Sequence, residues 1–483
     1  MLLILNKLGL NKDLAILFIG RVLQVILSFI GLRVMTTLFS IDELGNYYLI
    51  LSITFFFSYI LLSPVAMFFS RHLVEWEERK VTLNAFLKFF LFIALSSIVT
   101  LMLSFVAFIS LGYQEKFGLV AFLVVVSLTV LVSATHRNIL TGINILRSRK
   151  IFIVAMVATL GIGLFFAFCI SYFYEAKAIY WLYGVLAAEI ITLPFVFKYF
   201  ISGYKFDMKA LYLKTNMFEI KNVTAFSLPI VGTNIFLWGQ IYSYRIIVDH
   251  KYGAEILGAI GVALAITTAV FAALENLISS YYYPIYLREI NSASKELRDR
   301  AWNKMANKII PIYLLTVFFM LAMSKSLIGI LVDEKFHYVY VFTLVAVGLE
   351  FFRVMTNLLN YALQTEYKTK LAIMPYLTGV MFTLTSFIFI DFSQNYEAIV
   401  WVLVIGGACI YLYILKNVRN IITMQYNFNY KEIFILIVPY FIYAMVNKPD
   451  YSFLENFLIV SLSCIYFLFA AFRISRDKRG YLK

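Results

Sequence analysis

Several arginines lie inside long apolar segments of this chain, where a charged side chain is unusual, and four of them are candidate site residues: Arg21, Arg137, Arg245 and Arg353. A charge at the middle of a bilayer costs at least about 2.5–3.5 kcal/mol on insertion scales. A guanidinium group can bind two phosphate oxygens at once, so these arginines are candidates to bind a substrate phosphate. Gln24 follows Arg21 by about one helical turn and extends the same polar face. The alternative for each arginine is an anchor that reaches the lipid headgroups, and the sequence leaves both open.

Carboxylates also occur in apolar segments, and two of them are candidates for ion coupling. Glu350 and Arg353 are three residues apart, a spacing at which side chains of one helix can form an ion pair. Glu275 has no basic residue nearby in sequence, and desolvation favours the protonated form of such a carboxylate. We therefore expect Glu275, and after it Glu350, to serve coupling to H+ or Na+. Glu189 is a further carboxylate of this kind, and hydrogen bonding between helices is the structural alternative for all three.

One segment carries polar residues at helical spacing. Asn234, Trp238, Tyr242 and Arg245 fall on one face of a helix. A face of this kind either lines a substrate path or packs against another helix. For Arg245, an ion pair with Asp249 one turn later is a further alternative.

These residues belong to a membrane protein. Of 483 residues, 62% are hydrophobic and 14% are charged, against about 25% charged in an average soluble domain. This composition excludes a soluble enzyme and a nucleic-acid binder. The apolar segments are about 20 residues long, as a membrane-spanning helix requires. The three cysteines lie within apolar segments, and the sequence contains neither a phosphate-binding Walker motif nor metal-ligand spacing. We therefore expect a transporter without a metal or organic cofactor, and not an enzyme.

The hydropathy pattern predicts an all-α fold of about fourteen transmembrane helices. The predicted spans are 14–36, 45–69, 83–111, 117–141, 151–173, 178–200, 222–248, 254–284, 308–332, 337–364, 370–391, 397–415, 432–447 and 454–472. With the N-terminus placed in the cytoplasm, 29 of the 41 Lys and Arg residues fall in cytoplasmic loops and tails, and six fall in external loops. Cations concentrate in cytoplasmic loops of membrane proteins, so we expect both termini in the cytoplasm.

A weak internal repeat predicts the organisation of these helices. A shift of about 212 residues aligns Gly20 with Gly232 and Arg33 with Arg245, which pairs the first span with the seventh. Repeats of six spans have the same orientation, so we expect two parallel six-helix bundles around a central cleft, followed by two extra C-terminal helices. The predicted boundaries are an N-terminal bundle at 1–200, a cytoplasmic linker at 201–221, a C-terminal bundle at 222–416, and an appended helix pair with a basic tail at 417–483.

The sequence also resembles a known family, the Wzx-type polysaccharide flippases of the MOP (multidrug/oligosaccharidyl-lipid/polysaccharide) superfamily. The resembling segments are 20–22, 33–40, the acidic loop 42–47, and 257–284, which ends in three tyrosines and a proline. The resemblance implies a protein of the bacterial cytoplasmic membrane that flips an undecaprenyl-diphosphate-linked oligosaccharide to the outer leaflet. It further implies that the chain works as a monomer, with the lipid-linked oligosaccharide and membrane lipids as partners, beside a polysaccharide polymerase and glycosyltransferases.

Other functions remain as alternatives. A lipid II flippase is the nearest alternative within the superfamily. A MATE-type exporter of drugs or metabolites would need an acidic, aromatic cavity for organic cations, whereas the apolar segments here contain more arginine than acid. A membrane-embedded glycosyltransferase or polymerase would need a large external loop, and the sequence contains none.

Overall fold

The computed structural model describes residues 12–202, 204, 220–290, 294–446 and 451–476. Helices account for nearly all of these residues, and no strand occurs among them. The prediction of an all-α membrane fold is therefore confirmed. Most of the predicted linker 201–221 and the end of the basic tail fall outside the described residues.

Fourteen helices follow one another along the described chain. They are α1 (Lys12–Leu38), α2 (Ile41–Glu78), α3 (Thr82–Ser110), α4 (Leu119–Leu146), α5 (Arg149–Phe173), α6 (Ala178–Ile201), α7 (Ile220–Ile241), α8 (Ser243–Ile290), α9 (Lys295–Leu331), α10 (Tyr340–Thr365), α11 (Ile373–Phe389), α12 (Glu397–Arg419), α13 (Tyr430–Val446) and α14 (Phe453–Arg476). Several are longer than predicted, notably α2, α8 and α9. Their extensions are amphipathic, so a search for apolar residues does not detect them.

Twelve stretches of the described residues are long and apolar enough to cross a membrane. One of them, Lys221–Ile290, contains 70 residues and includes two of the predicted spans. The backbone turns between these two spans at Gly253, where φ is 89°. Glycine adopts this conformation without the steric cost that a side chain would add. Helix α13, with 17 residues, is not among the twelve; it was the shortest predicted span.

By packing, the chain divides into two units, Met1–Asp249 and His250–Lys483. Helix α7 therefore packs with the first six helices. The predicted boundaries follow the sequence repeat instead, and the relation of the two six-helix bundles stays a prediction.

The first unit has a core of large aromatic side chains and one very close helix pair. The fully buried residues include Trp76, Phe86, Phe122 and Phe200. A Cβ atom added to Gly184 in α6 would lie 2.3 Å from the backbone of α5. Small residues allow membrane helices to approach this closely, because lipid tails provide no hydrophobic force between helices.

In the second unit, side chains of α9 hold the segment that leads to the appended pair α13–α14. The residues Asp299, Asn303 and Asn307 are four positions apart and bind the backbone of Thr423, Gln425 and Asn427, respectively. Four helical residues rise about 6 Å and two extended residues rise about 6.5 Å, so the two spacings match. We refer to Asp299, Asn303 and Asn307 as the polar ladder.

Candidate functional site

One face of α7 donates hydrogen bonds to the backbone of α2. Asn234 Nδ2 donates to the carbonyl oxygen of Tyr59 at 2.8 Å, and Trp238 Nε1 donates to the carbonyl oxygen of Ser52 at 2.9 Å. Both donors belong to the polar face that the sequence predicts. For Asn234 and Trp238 the structure therefore favours the packing alternative, because their polar atoms fix α7 to α2.

The carbonyl of Tyr59 is available because of a proline. Residues 58–62 form a π turn within α2, in which a carbonyl pairs with the N–H five residues later. For Tyr59 that residue is Pro64, which has no N–H, and the N–H of Ser63 already donates to Ser58. Asn234 on α7 supplies the missing donor.

Arg245 continues this face and is held by tyrosine rings. Its guanidinium carbon lies 5.3 Å from the ring centroid of Tyr48, 5.1 Å from that of Tyr242 and 5.8 Å from that of Tyr244. Its two polar contacts are long, at 3.3 Å to the hydroxyl of Tyr244 and 3.4 Å to the carbonyl oxygen of Tyr48. Ring faces attract a cation but offer no acceptor oxygen, so the guanidinium keeps donors for a further acceptor.

Asp249 is not the partner of Arg245, although the two are four residues apart. Lys116, from the loop between α3 and α4, places its Nζ 2.6 Å from Asp249 Oδ1, and the aspartate side chain is buried. Among the described residues, the guanidinium of Arg245 has no carboxylate partner. The alternative of an ion pair with Asp249 within α8 is therefore wrong for Arg245.

The other predicted arginines of the first unit, Arg21 and Arg137, make different contacts from those of Arg245. Arg21 Nη1 donates to Gln24 Oε1 at 2.8 Å, so the two polar residues of α1 bind each other. Arg137 on α4 is exposed. Whether Arg21, Gln24 and Arg137 contact substrate stays a prediction.

In the second unit, Arg353 on α10 bridges two carboxylates. Its Nε donates to Glu350 Oε2 at 2.8 Å, which is the ion pair that the sequence spacing predicts. Its Nη1 donates to Glu275 Oε2 at 2.7 Å, across to α8. The sequence suggests an isolated Glu275, and the structure corrects this interpretation, because the folded chain brings Arg353 to it from 78 positions away.

Neutral donors complete this network. Asn357 Nδ2 donates to Glu275 Oε1 at 2.7 Å, and Thr268 Oγ1 donates to Glu350 Oε1 at 2.8 Å. Each of the four carboxylate oxygens thus receives one hydrogen bond. With both carboxylates ionised, the network of two acids and Arg353 has a net charge of −1, whereas Arg245 is a cation without a carboxylate.

Sequence reasoning missed a buried polar cluster between α4, α5 and α6. His136 Nε2 lies 3.1 Å from the hydroxyl of Thr192 and 3.4 Å from that of Thr159, and Ser133 donates to Glu189. Ser133 and His136, like Glu189 and Thr192, are three residues apart, so each pair lies on one helix face. That matched spacing is the signal that could have predicted a polar contact between α4 and α6.

The acidic segment 42–47, which the sequence analysis interprets as a loop, forms the first turns of α2 and has a structural role. Glu43 Oε2 accepts a hydrogen bond of 2.8 Å from the backbone N–H of Ala178, the first residue of α6, and Asn46 donates to Glu43 Oε1 at 3.1 Å. A carboxylate at a helix N-terminus satisfies a free N–H and interacts favourably with the helix dipole. Glu43 therefore fixes the start of α6 to the start of α2.

Ion pairs outside the membrane-spanning segments fasten loops within each unit. In the second unit, Arg298 donates to both oxygens of Glu366, at 2.6 and 3.0 Å, and this hydrogen bonding lowers the pKa of Glu366. In the first unit, the hydroxyl of Tyr204 donates to Glu77, and Arg147 lies 4.8 Å from the Tyr204 ring. Burial, followed by the contact with Glu77, raises the pKa of Tyr204 to about 12.

No group of three or more His, Cys, Asp or Glu side chains that could hold a metal ion occurs in the described part of the chain.

Comparison with known proteins identifies the fold. No protein-family model matches the chain, and no curated protein matches it. Among solved structures, the lipid II flippase MurJ in an inward closed conformation superposes with a TM-score of 0.66 at 13% identity, over 95% of this chain and 97% of that one. A multidrug resistance MATE transporter of the MOP superfamily, in an inward-facing conformation, has a TM-score of 0.62 at 12% identity, over 85% and 99% of the two chains.

A third structure is a MOP superfamily transporter from Pyrococcus furiosus, described as having a binding pocket of reverse polarity, with a TM-score of 0.52 at 13% identity over 85% and 99% of the chains. These similarities extend over most of both chains in each case. The chain therefore has the fold of the MOP superfamily transporters, the superfamily of the MATE exporters and of MurJ-like flippases.

Proposed function

We propose that this protein is a flippase for a polysaccharide precursor. It moves an undecaprenyl-diphosphate-linked oligosaccharide from the inner to the outer leaflet of the bacterial cytoplasmic membrane, for the assembly of O-antigen, capsule or exopolysaccharide. The observation that carries this proposal is the environment of Arg245, a guanidinium in a membrane helix that contacts tyrosine rings and, among the described residues, no carboxylate.

This environment suits a phosphate-containing headgroup. A carboxylate partner would have neutralised the charge and used the hydrogen-bond donors of Arg245. The ring faces of the tyrosines stabilise the cation without accepting its hydrogen bonds, and the bonds to the Tyr244 hydroxyl and the Tyr48 carbonyl are long. The phosphate oxygens of a substrate can therefore accept from the remaining donors. We assign substrate binding also to Arg21, Gln24 and Arg137 in the first unit and to Arg353 in the second.

The membrane potential is consistent with an outward movement of the negatively charged diphosphate headgroup. An inside-negative membrane potential favours this direction by about 2.3 kcal/mol per charge per 100 mV. The return of the empty, positively charged carrier is the opposed step. We assign ion coupling, to H+ or Na+, to Glu275 and Glu350. We further propose that the protein acts as a monomer beside a polymerase and glycosyltransferases.

A MATE-type exporter of organic cations is the second candidate. The net charge of −1 of the Glu275–Arg353–Glu350 network is the observation that favours it, since organic cations need a negative site. A lipid II flippase is the third, and the fold of MurJ is consistent with it. The reverse-polarity pocket described for the Pyrococcus transporter indicates that sites of either sign occur in this fold.

A flipping assay in proteoliposomes tests the proposal. A lipid-linked oligosaccharide is placed in the inner leaflet, and a membrane-impermeant lectin measures the glycan that reaches the outside. Wild-type protein should accelerate the appearance of glycan, and Arg245→Ala should slow it at least tenfold. Arg245→Lys should also be slow, because an ammonium group cannot form the two-pronged contact.

Arg79→Ala is the matched control, because Arg79 is an exposed arginine at the end of α2 that pairs with Glu75 at 2.7 Å. It should transport normally. Normal flipping by Arg245→Ala would refute the role of Arg245. If proteoliposomes move an organic cation such as ethidium but no lipid-linked glycan, the exporter is the correct function; if they flip lipid II alone, the lipid II flippase is.

A further inference from the structure

The guanidinium of Arg353 binds two carboxylates, and one of its nitrogens has no hydrogen-bond partner within the described residues. Nε is bound to Glu350 and Nη1 to Glu275, whereas Nη2 is buried and makes no hydrogen bond within the described residues. A buried donor without an acceptor is costly. An acceptor that reached Nη2 would therefore be bound favourably.

The two carboxylates are not held equally. Glu350 lies on the same helix as Arg353, and 5% of its side chain is exposed. Glu275 reaches Arg353 from α8, and 17% of its side chain is exposed. Glu275 is therefore the partner that can leave Arg353 with less disturbance of the helix that carries both Arg353 and Glu350.

We infer that a proton on Glu275 releases Arg353 to bind the anionic headgroup of the substrate, so that Glu275 and a substrate phosphate compete for one edge of the guanidinium. This inference rests on the proposed function, because it requires a phosphate-containing substrate. Nε stays with Glu350. Once Nη1 is released, Nη1 and Nη2 form the two-pronged end of the guanidinium that fits two phosphate oxygens.

The charge of the network explains why the proton is needed. With both carboxylates ionised, the network has a net charge of −1 and repels an anion. Protonation of Glu275 makes the network neutral and removes the charged competitor. Proton binding and headgroup binding then favour each other, and by thermodynamic reciprocity each raises the affinity for the other by the same factor.

The surrounding helices contribute phenols to the network. The titratable side chains that face it are those of Tyr313 on α9, Tyr361 on α10 and Tyr376 on α11. Phenols are neutral at physiological pH. The charged side chains that act on Arg353 are thus Glu275 and Glu350.

Binding of undecaprenyl diphosphate, which has the headgroup phosphates but no glycan, tests the inference. The purified protein in nanodiscs is titrated with this probe at pH 6 and pH 8, at constant sodium concentration. Wild-type affinity should rise as the pH falls, by up to about tenfold per pH unit for one linked proton. Glu275→Gln should bind at pH 8 about as tightly as the wild type does at pH 6.

Two further variants separate this mechanism from general effects. Glu350→Gln should keep the pH dependence, because Glu275 is still present to compete for Arg353. Arg353→Lys should lose most of the gain at low pH, because it has no two-pronged edge to release. Protonation of the probe itself would affect all variants equally, so the comparison with Glu275→Gln removes it.

The inference is wrong if Glu275→Gln keeps the wild-type pH dependence, if Glu350→Gln abolishes it instead, or if wild-type affinity does not change with pH. In each of these cases, normal flipping by the wild type would leave the proposed function standing. If the wild type neither binds the probe at any pH nor flips a lipid-linked oligosaccharide, the proposed function fails and this inference fails with it.

Discussion

Replacement of Asn303 by Ala tests how the second unit holds the segment before α13. Asn303 is 3% exposed. Its Nδ2 donates to the carbonyl oxygen of Thr423 at 2.7 Å, and its Oδ1 accepts from the N–H of Gln425 at 2.7 Å. A hydrogen bond contributes about 0.5–1.5 kcal/mol net, so its loss should raise the amide exchange rate of Gln425 roughly two- to twelvefold.

Residue-resolved hydrogen exchange measures this effect. In the wild type, the amides of Thr423, Gln425 and Asn427 should exchange more slowly than those of Met424 and Tyr426. The first three bind the polar ladder, whereas the N–H groups of the other two make no hydrogen bond among the described residues. Alternating protection of this kind is the expected pattern for an extended segment bound along one edge.

Asn417→Ala is the matched control, because it removes one side-chain hydrogen bond of 2.9 Å, to the carbonyl oxygen of Leu371, elsewhere in the same unit. It should leave the exchange of Gln425 unchanged. Equal exchange at alternate residues in the wild type, or unchanged exchange of Gln425 in Asn303→Ala, would refute the ladder as the anchor of this segment.

Three further predictions concern stability, measured as unfolding in detergent. Glu43→Ala should destabilise the protein by about 1–2 kcal/mol, because its carboxylate caps the N-terminus of α6; an equal loss in the exposed control Asp42→Ala would contradict this. Gly184→Ala should cost about 1–3 kcal/mol or prevent folding, since the added Cβ would lie 2.3 Å from the backbone of α5. Gly161→Ala, with nothing within 4 Å, should be tolerated, and similar losses in both would disprove the contact. Glu366→Gln should reduce stability at pH 7, because the folded state lowers the pKa of this carboxyl from 4.5. Its stabilising effect is present above that value and is lost as the pH falls through the lowered pKa, so a difference that persists unchanged in strong acid would refute the reasoning.

The membrane class and the all-α fold could be predicted because the bilayer imposes one strong rule. A spanning helix needs about 20 apolar residues whatever its neighbours are, so composition within a window is sufficient. The same rule explains the errors. Helix α9 begins at Lys295, thirteen residues before the predicted span at 308–332, because its first turns contain too many charged residues to be apolar.

Helix faces could also be predicted, but their partners could not. The spacing of Asn234, Trp238 and Arg245 places them on one face, since this follows from the 3.6-residue period alone. That α2 packs against this face depends on a free carbonyl created by Pro64 in another helix. Nothing in the spacing of α7 contains that information.

The same limit applies to the charged residues. The pair of Glu350 and Arg353 was predictable because both lie on one helix. The contact of Glu275 with Arg353 joins residues 78 positions apart, and it changes the interpretation of Glu275 from an isolated acid to a member of an ion-pair network. Its candidacy for coupling then depends on competition for Arg353 instead of on isolation.

Arg245 and Arg353 differ in the partners of their guanidinium groups, although both lie in membrane helices of the same chain. Tyrosine rings surround Arg245, and no carboxylate of the described residues occupies its donors, so the proposed function makes it a phosphate-binding candidate. Two carboxylates bind Arg353, so by the inference above a headgroup phosphate binds there once Glu275 has lost its charge. The first unit thus holds a candidate arginine without a carboxylate partner among the described residues, and the second holds one whose binding we infer to depend on a proton. This difference gives a transporter a physical means to link the binding of its substrate to the state of an ion gradient, because only the controlled site changes affinity when the proton arrives.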